Sequence, residues 1–246
     1  NVKLKCCGIK ALMINVAPGG GYSAIIRKKI VVSIKIFILM RKLVFILLVF
    51  ILVSCEEKKN VLIIGDSISI GYTPFVREAL KTEANVFHNY RNARHTAYGL
   101  DSIANWLGET KWDVIHFNFG LHDLCYRSKN VLRDKVNGKL SVSLEDYGGN
   151  LRKIAEIIKN TDAKVIFATT TMVPENEPGR FSNDVEEYNQ VAIEVMNDYD
   201  IEIDDLYSLS LEVHPRLGKG DDDVHYTKDG YRKLSEQVVK CIKEKL

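Results

Sequence analysis

The chain has 246 residues, with 34 Lys/Arg against 32 Asp/Glu, a formal net charge of +2 and five cysteines. The charges are segregated: nine of the basic residues and none of the acids precede Cys55, so the other 25 face all 32 acids and residues 55–246 carry a net of −7. That acidic balance gives no electrostatic support for nucleic-acid binding, and the cysteines show neither C-x-x-C nor zinc spacing.

Residues 1–39 start with Asn and contain Gly19-Gly20-Gly21 without a structural pattern. They read as an over-extended or unstructured leader, with Met40 as the expected initiator, and stay outside the fold reasoning. Arg41 and Lys42 are followed by an uninterrupted apolar run of 11 residues, Leu43 to Val53. That is the size of a signal-peptide core and is short for a membrane span. Leu52-Val53-Ser54-Cys55 then gives way to Glu56-Glu57-Lys58-Lys59. The stretch resembles a bacterial lipoprotein signal with its lipobox, which implies cleavage before Cys55 and a lipid on its sulfur. The alternative, one span from Ile30 to Val53, would place Lys35, Arg41 and Lys42 inside the membrane at high cost. The expected organisation is a signal over 40–54, a linker over 55–59 and one domain over 60–246, held to a membrane in the bacterial cell envelope.

Val61-Leu62-Ile63-Ile64 reads as a fully buried strand, and Gly65-Asp66-Ser67 follows at its C-terminal end. A helix is expected from Ile70 to Leu80, with Pro74 in its first turn. Strands at Asn85–Tyr90, Trp112–Phe119, Lys164–Ala168 and Ile201–Ile203 alternate with helices at Leu100–Leu107, from Ser143, at Asp184–Tyr199 and at Thr227–Lys245. The Ser143 helix has Asp146 three residues on, close to a capping box, and an apolar face of Leu151, Ile154, Ile157 and Ile158. Between Tyr126 and Ser143, Asn137-Gly138 marks a hairpin insertion. Strand–helix alternation of this kind builds a parallel sheet covered on both faces. No pattern supports a disulfide between Cys125 and Cys241.

Four blocks carry the chemistry: Gly65-Asp66-Ser67-Ile68-Ser69, Asn92-Ala93-Arg94-His95-Thr96, Gly120-Leu121-His122-Asp123 and Asp222-Asp223-Val224-His225. In this order they resemble the SGNH hydrolases, also called GDSL esterases, over essentially residues 60–246. The resemblance implies a flavodoxin-like three-layer α/β/α sandwich with a parallel sheet of about five strands. It implies Ser67 as nucleophile, His225 as its base and Asp222 as the acid behind the imidazole, because a serine hydroxyl needs such activation. Implied oxyanion donors are the Ser67 N–H, a backbone N–H at Ala93 and a side chain in the third block. There the family asparagine is replaced by His122, whose N–H can donate; Asn118 is the other candidate.

Arg94, His95 and Arg180 are candidates for lining the site or are plain surface residues. His88, His116 and His214 read as solvated surface histidines. Asp221-Asp222-Asp223 is an acidic turn or a loose metal loop, but no second ligand cluster has suitable spacing, so no metal and no cofactor are expected. Gly-x-Ser-x-Gly is absent, since position 69 is Ser, which argues against an α/β-hydrolase elbow. The expected activity is hydrolysis of acyl esters, acetyl on carbohydrate by preference. A lysophospholipase or thioesterase and a catalytically weak carbohydrate-binding relative remain as alternatives. The expected partner is a small-molecule or glycan ester, with the oligomeric state open.

Overall fold

The structure is a computed structural model that describes residues 30–42, 57–130 and 132–246. Residues 30–42 form a helix, and no described helix is long and apolar enough to cross a membrane. The apolar run and Cys55 lie outside the described residues. Residues 58–246 form a compact unit of their own.

Among its described residues, seven strands and six helices build that unit. The strands are β1 (Lys59–Ile64), β2 (Ala84–His88), β3 (Val114–Phe117), β4 (Tyr126–Arg127), β5 (Lys139–Leu140), β6 (Lys164–Ala168) and β7 (Glu202–Asp204). The helices are α1 (Ser67–Ala79), α2 (Thr96–Leu107), α3 (Leu144–Lys159), α4 (Asp184–Asp198), α5 (Leu206–Leu217) and α6 (Lys228–Lys243). Five strands make one parallel sheet in the order β2-β1-β3-β6-β7. Helix α1 packs on α6 and α6 on α5, while α2 packs on α3 and α3 on α4. This is the three-layer, flavodoxin-like arrangement expected from the alternation. Its strand order reverses between β1 and β3, and open α/β sheets bind ligands at that crevice.

Burial explains the element choices. Val61 to Ile64 are almost wholly buried because β1 is covered on both faces. On α3, Leu151, Ile154, Ala155 and Ile158 form the buried stripe, and Ser143 caps the helix by accepting from the Asp146 N–H. The expected hairpin insertion is the β4–β5 pair. Helix α1 begins three residues earlier than expected, at Ser67, so Pro74 lies inside it rather than in its first turn. Helix α5 was not anticipated. Asp205 caps it by accepting from the Ser208 N–H, and Pro215 sits within its last turn. Gly71 lets α1 and α6 meet: a Cβ there would stand 2.2 Å from the Tyr231 ring. Cys125 and Cys241 are both free.

Candidate active site

The site starts from the turn after β1. Asp66 caps α1 by accepting the Ile68 N–H at 2.9 Å, which makes Ser67 the first helical residue. The Ser67 N–H has no acceptor among the described residues. It is one of the unsatisfied first-turn donors where a helix favours negative charge. The turn is fixed from both sides, because the Gly65 N–H donates to Asn89 Oδ1 at 2.9 Å and the Gly65 carbonyl accepts from the Ala93 N–H at 2.9 Å.

His225 reaches this turn from the loop before α6. Its Nε2 stands 2.8 Å from Ser67 Oγ, and its Nδ1 stands 2.5 Å from Asp223 Oδ1. A carboxylate oxygen accepts, so Nδ1 carries the proton and Nε2 is left to accept from the serine hydroxyl. The same Asp223 oxygen accepts the His225 backbone N–H at 3.0 Å, a two-residue turn that holds the acid in place. Burial works against ionisation of Asp223, but the His225 bonds and charge outweigh it and hold the carboxyl below its usual range.

The carboxylate against His225 is Asp223 and not the expected Asp222, which is exposed and makes no side-chain hydrogen bond among the described residues. The loop explains the choice. His214 Nε2 donates to the Asp223 carbonyl at 2.8 Å, and Asn176 holds Asp221 through both its backbone and its side chain. With those neighbours pinned, the residue two before His225 faces the imidazole.

Block three is built around Gly120, whose φ of 152° and whose Cβ position, 1.9 Å from Thr170 Oγ1, both require glycine. His122 follows, half-buried and without a hydrogen-bond partner among the described residues. Burial draws its pKa down to about 4, with Asp66 opposing and Arg180 and Arg127 adding to the fall. It is a neutral imidazole at neutral pH with an N–H to offer. Asn118 is differently placed, since its Nδ2 donates to the Ala168 carbonyl at 2.7 Å and ties β3 to β6. Asp123 accepts from both the Thr96 N–H (2.7 Å) and Oγ1 (2.6 Å), clamping block three to block two. Burial raises Asp123 to about 7 against those bonds, and its Oδ2 has no partner among the described residues.

Two other expectations fail on burial and bonding. The Ala93 N–H is committed to Gly65, so Ala93 has no donor to present. The left-handed residue of that turn, where glycine is the low-strain choice, is Arg94 at φ 56°. Arg180 is 4% exposed, and its guanidinium donates to the Leu121 carbonyl at 2.5 Å and to Glu177 Oε1 at 2.7 Å. It braces the residue before His122 and does not face substrate.

The remaining histidines are not solvated. His116 is fully buried on Asp204 at 2.9 Å, and His214 is buried as described. His88 Nε2 lies 2.7 Å from Ser69 Oγ. Its Nδ1 donates to the Asn89 carbonyl at 2.9 Å, and the Ser69 hydroxyl, which donates to the Asp66 carbonyl at 2.8 Å, has no second proton to give Nε2 at the same time. This second serine–histidine contact went unread because His88 and Ser69 share no sequence motif. Nor did any signal mark His214; for Asp223 the only one was the run of three aspartates. Among the described residues no His/Cys/Asp/Glu group has the geometry of a metal site.

A parallel sandwich carrying a Ser–His–Asp contact at its switch point belongs with hydrolases that act on ester bonds. Residues 63–233 match the GDSL-like lipase/acylhydrolase family, and the chain belongs to it. An acetyl xylan esterase superposes with a TM-score of 0.62 at 16% identity, over 74% of this chain and 99% of its own. The lipase/acylhydrolase from Enterococcus faecalis gives 0.62 at 22% identity, over 76% and 96%. An acetylxylan esterase from Geobacillus stearothermophilus gives 0.55 at 17%, over 74% and 93%. At these identities the likeness establishes the fold. No curated protein sequence matches the chain.

Proposed function

We propose that this ester hydrolase removes acyl groups, acetyl by preference, from carbohydrate, with Ser67 as nucleophile, His225 as base and Asp223 as the supporting acid. The observation that carries the reading is the unbroken contact Ser67 Oγ to His225 Nε2 (2.8 Å) and Nδ1 to Asp223 Oδ1 (2.5 Å). Ser67 Oγ attacks the ester carbonyl carbon as its proton passes to His225 Nε2. Negative charge develops on the carbonyl oxygen, for which the Ser67 N–H and the neutral His122 N–H are the proposed donors. The intermediate collapses by breaking the C–O bond to the alcohol, which leaves with the proton from His225. Water then attacks the acyl-enzyme, gives its proton to His225 and releases the acid, and Ser67 recovers its hydrogen.

The acetyl and carbohydrate assignments draw support from the named activity of two structural neighbours and from the expected cell-envelope location, periplasmic or surface-exposed. The test is a panel of acetylated sugars and longer-chain esters, with the Ser67→Ala protein as blank. Preference for a long acyl chain would favour the lysophospholipase or thioesterase alternative. Lipid attachment at Cys55 is part of the same proposal. Mass spectrometry of membrane-extracted protein is expected to find a diacylglyceryl-modified N-terminus at Cys55, and an unmodified terminus upstream of it would end that part.

A further inference from the structure

We propose that the loop from Tyr90 to Arg94 selects esters whose alcohol part carries a carboxylate, such as an acetylated uronic acid. This rests on the esterase reading above and adds the charge of the substrate to it. Only three non-glycine residues among those described have a left-handed φ, and two of them are Arg91 (64°) and Arg94 (56°). Side chains there carry strain that glycine would avoid, and strained residues held by their surroundings cluster at ligand sites. The surroundings do hold them. Asn89 Nδ2 donates to the Arg91 carbonyl, Asn92 Oδ1 accepts the Arg94 N–H, and Ala93 is bonded to Gly65, two residues before Ser67. The loop is thus attached directly to the nucleophile turn.

Both guanidinium groups are presented rather than neutralised. Arg91 stacks over Tyr90 at 5.1 Å and Arg94 over Tyr98 at 4.9 Å. Both arginines are exposed, as is Tyr90 at 75%. Neither has a carboxylate within ion-pair distance among the described residues, whereas Arg133, Arg152, Arg180 and Arg232 each do. A stacked guanidinium is already ordered and keeps its planar fork of donors open at the edge, the geometry that suits a carboxylate. The positive field reaches His95, whose pKa is lowered first by burial and then by Arg94 and Arg127.

The experiment compares two acetylated sugars with the ester at the same hydroxyl, a methyl glucuronoside and its neutral methyl ester. The acidic substrate is expected to have kcat/KM on the order of tenfold higher at low salt, with the ratio shrinking as salt screens the charge. Arg94→Gln and Arg91→Gln are each expected to pull that ratio towards one, with Arg94→Lys intermediate. Arg94→Gly keeps the test open if the glutamine variant folds poorly, because glycine suits the local φ; its unfolding temperature should be no lower than wild type. Independently of turnover, the Ser67→Ala protein is expected to bind methyl glucuronoside more tightly than methyl glucoside by calorimetry, and to lose that difference with Arg94→Gln. Hydrolysis of both esters at equal efficiency, or a binding difference unmoved by the arginine variants, would overturn this inference and leave the esterase reading standing. Tighter binding of a sugar sulfate or phosphate than of the uronoside would overturn the carboxylate assignment. Ser67-independent or absent hydrolysis of both esters would overturn the esterase reading instead.

Discussion

Two serine–histidine contacts lie two residues apart at the start of one helix. Ser67 meets His225 at 2.8 Å and Ser69 meets His88 at 2.7 Å. By that distance alone they are equals. They differ in everything around it. His225 is backed by a carboxylate, His88 by a backbone carbonyl. Ser67 is partly exposed beside its own unpaired N–H, while Ser69 is 2% exposed and also lies 2.8 Å from the Asp66 carbonyl. Burial lowers the His88 pKa, and the ring packs against a buried hydroxyl whose proton is already engaged by a backbone carbonyl. On the proposed roles, a serine and a histidine in contact would not be sufficient for catalysis: access, a charge behind the imidazole and a donor for the oxyanion would separate the nucleophile from the structural hydrogen bond.

The largest test of that contrast exchanges the two serines for alanine. Ser67→Ala is expected to lower kcat by about 10⁴-fold or more. Ser69→Ala is expected to keep kcat within about tenfold but to unfold roughly 2–4 °C lower, because His88 loses a buried partner. A serine-directed phosphonate should mark Ser67 in a peptide map; an adduct confined to Ser69 would reverse the assignment. Next in size comes the acid. Asp223→Asn is expected to cost about 10⁴-fold in kcat, and Asp222→Asn less than about threefold. The opposite ranking would mean that the family spacing prevails in solution.

His122 comes third. His122→Ala is expected to lower kcat by about 10²–10³-fold with KM little changed, and His122→Asn to recover much of that. Asn118→Ala is the control, and should act on stability by removing the bond to Ala168. A silent His122→Ala beside an inactive Asn118→Ala would transfer the donor role to Asn118. The smallest effect is on stability alone. Asp123 is raised to about 7 in the fold, above its unfolded value near 4. Between those values the folded chain binds more protons than the unfolded one, so this group's contribution falls as pH rises. Asp123→Asn removes that slope. Its unfolding temperature relative to wild type should climb from about pH 4 to pH 7, and a flat difference would deny the shift.

Most of the scaffold was legible because it rests on local pattern. Val61 to Ile64, Lys164 to Ala168, the Ser143 cap and the Asn137-Gly138 hairpin all signal themselves over a few residues. Helix α5 escaped because Pro215 and a scatter of serines mask its period, although Asp205 and Ser208 carry a cap signal. In the site, Ser67 and His225, which the structure brings into contact, each stand in a block legible in the sequence. Which of three consecutive aspartates serves them was not legible, because the answer depends on His214 and Asn176, which are remote in sequence. The histidines were misread for the same reason: burial of His116 requires Asp204, 88 positions away. Arg180 looked like a substrate contact because nothing local announces Glu177 and the Leu121 carbonyl as its partners.

Ser67 and His225 stand 158 positions apart in the chain. On the proposed roles, activity would report on the complete molecule. A ribosome that has made the sheet through β7 would hold a nascent chain with the proposed nucleophile and without its base. Only after residue 225 emerges, and α6 settles on α1 across the Gly71–Tyr231 contact, does the hydroxyl acquire a proton acceptor. Contacts of such long sequence separation form slowly and late. On the proposed roles, a partly folded chain would leave esters untouched, and hydrolysis would begin only where folding ends.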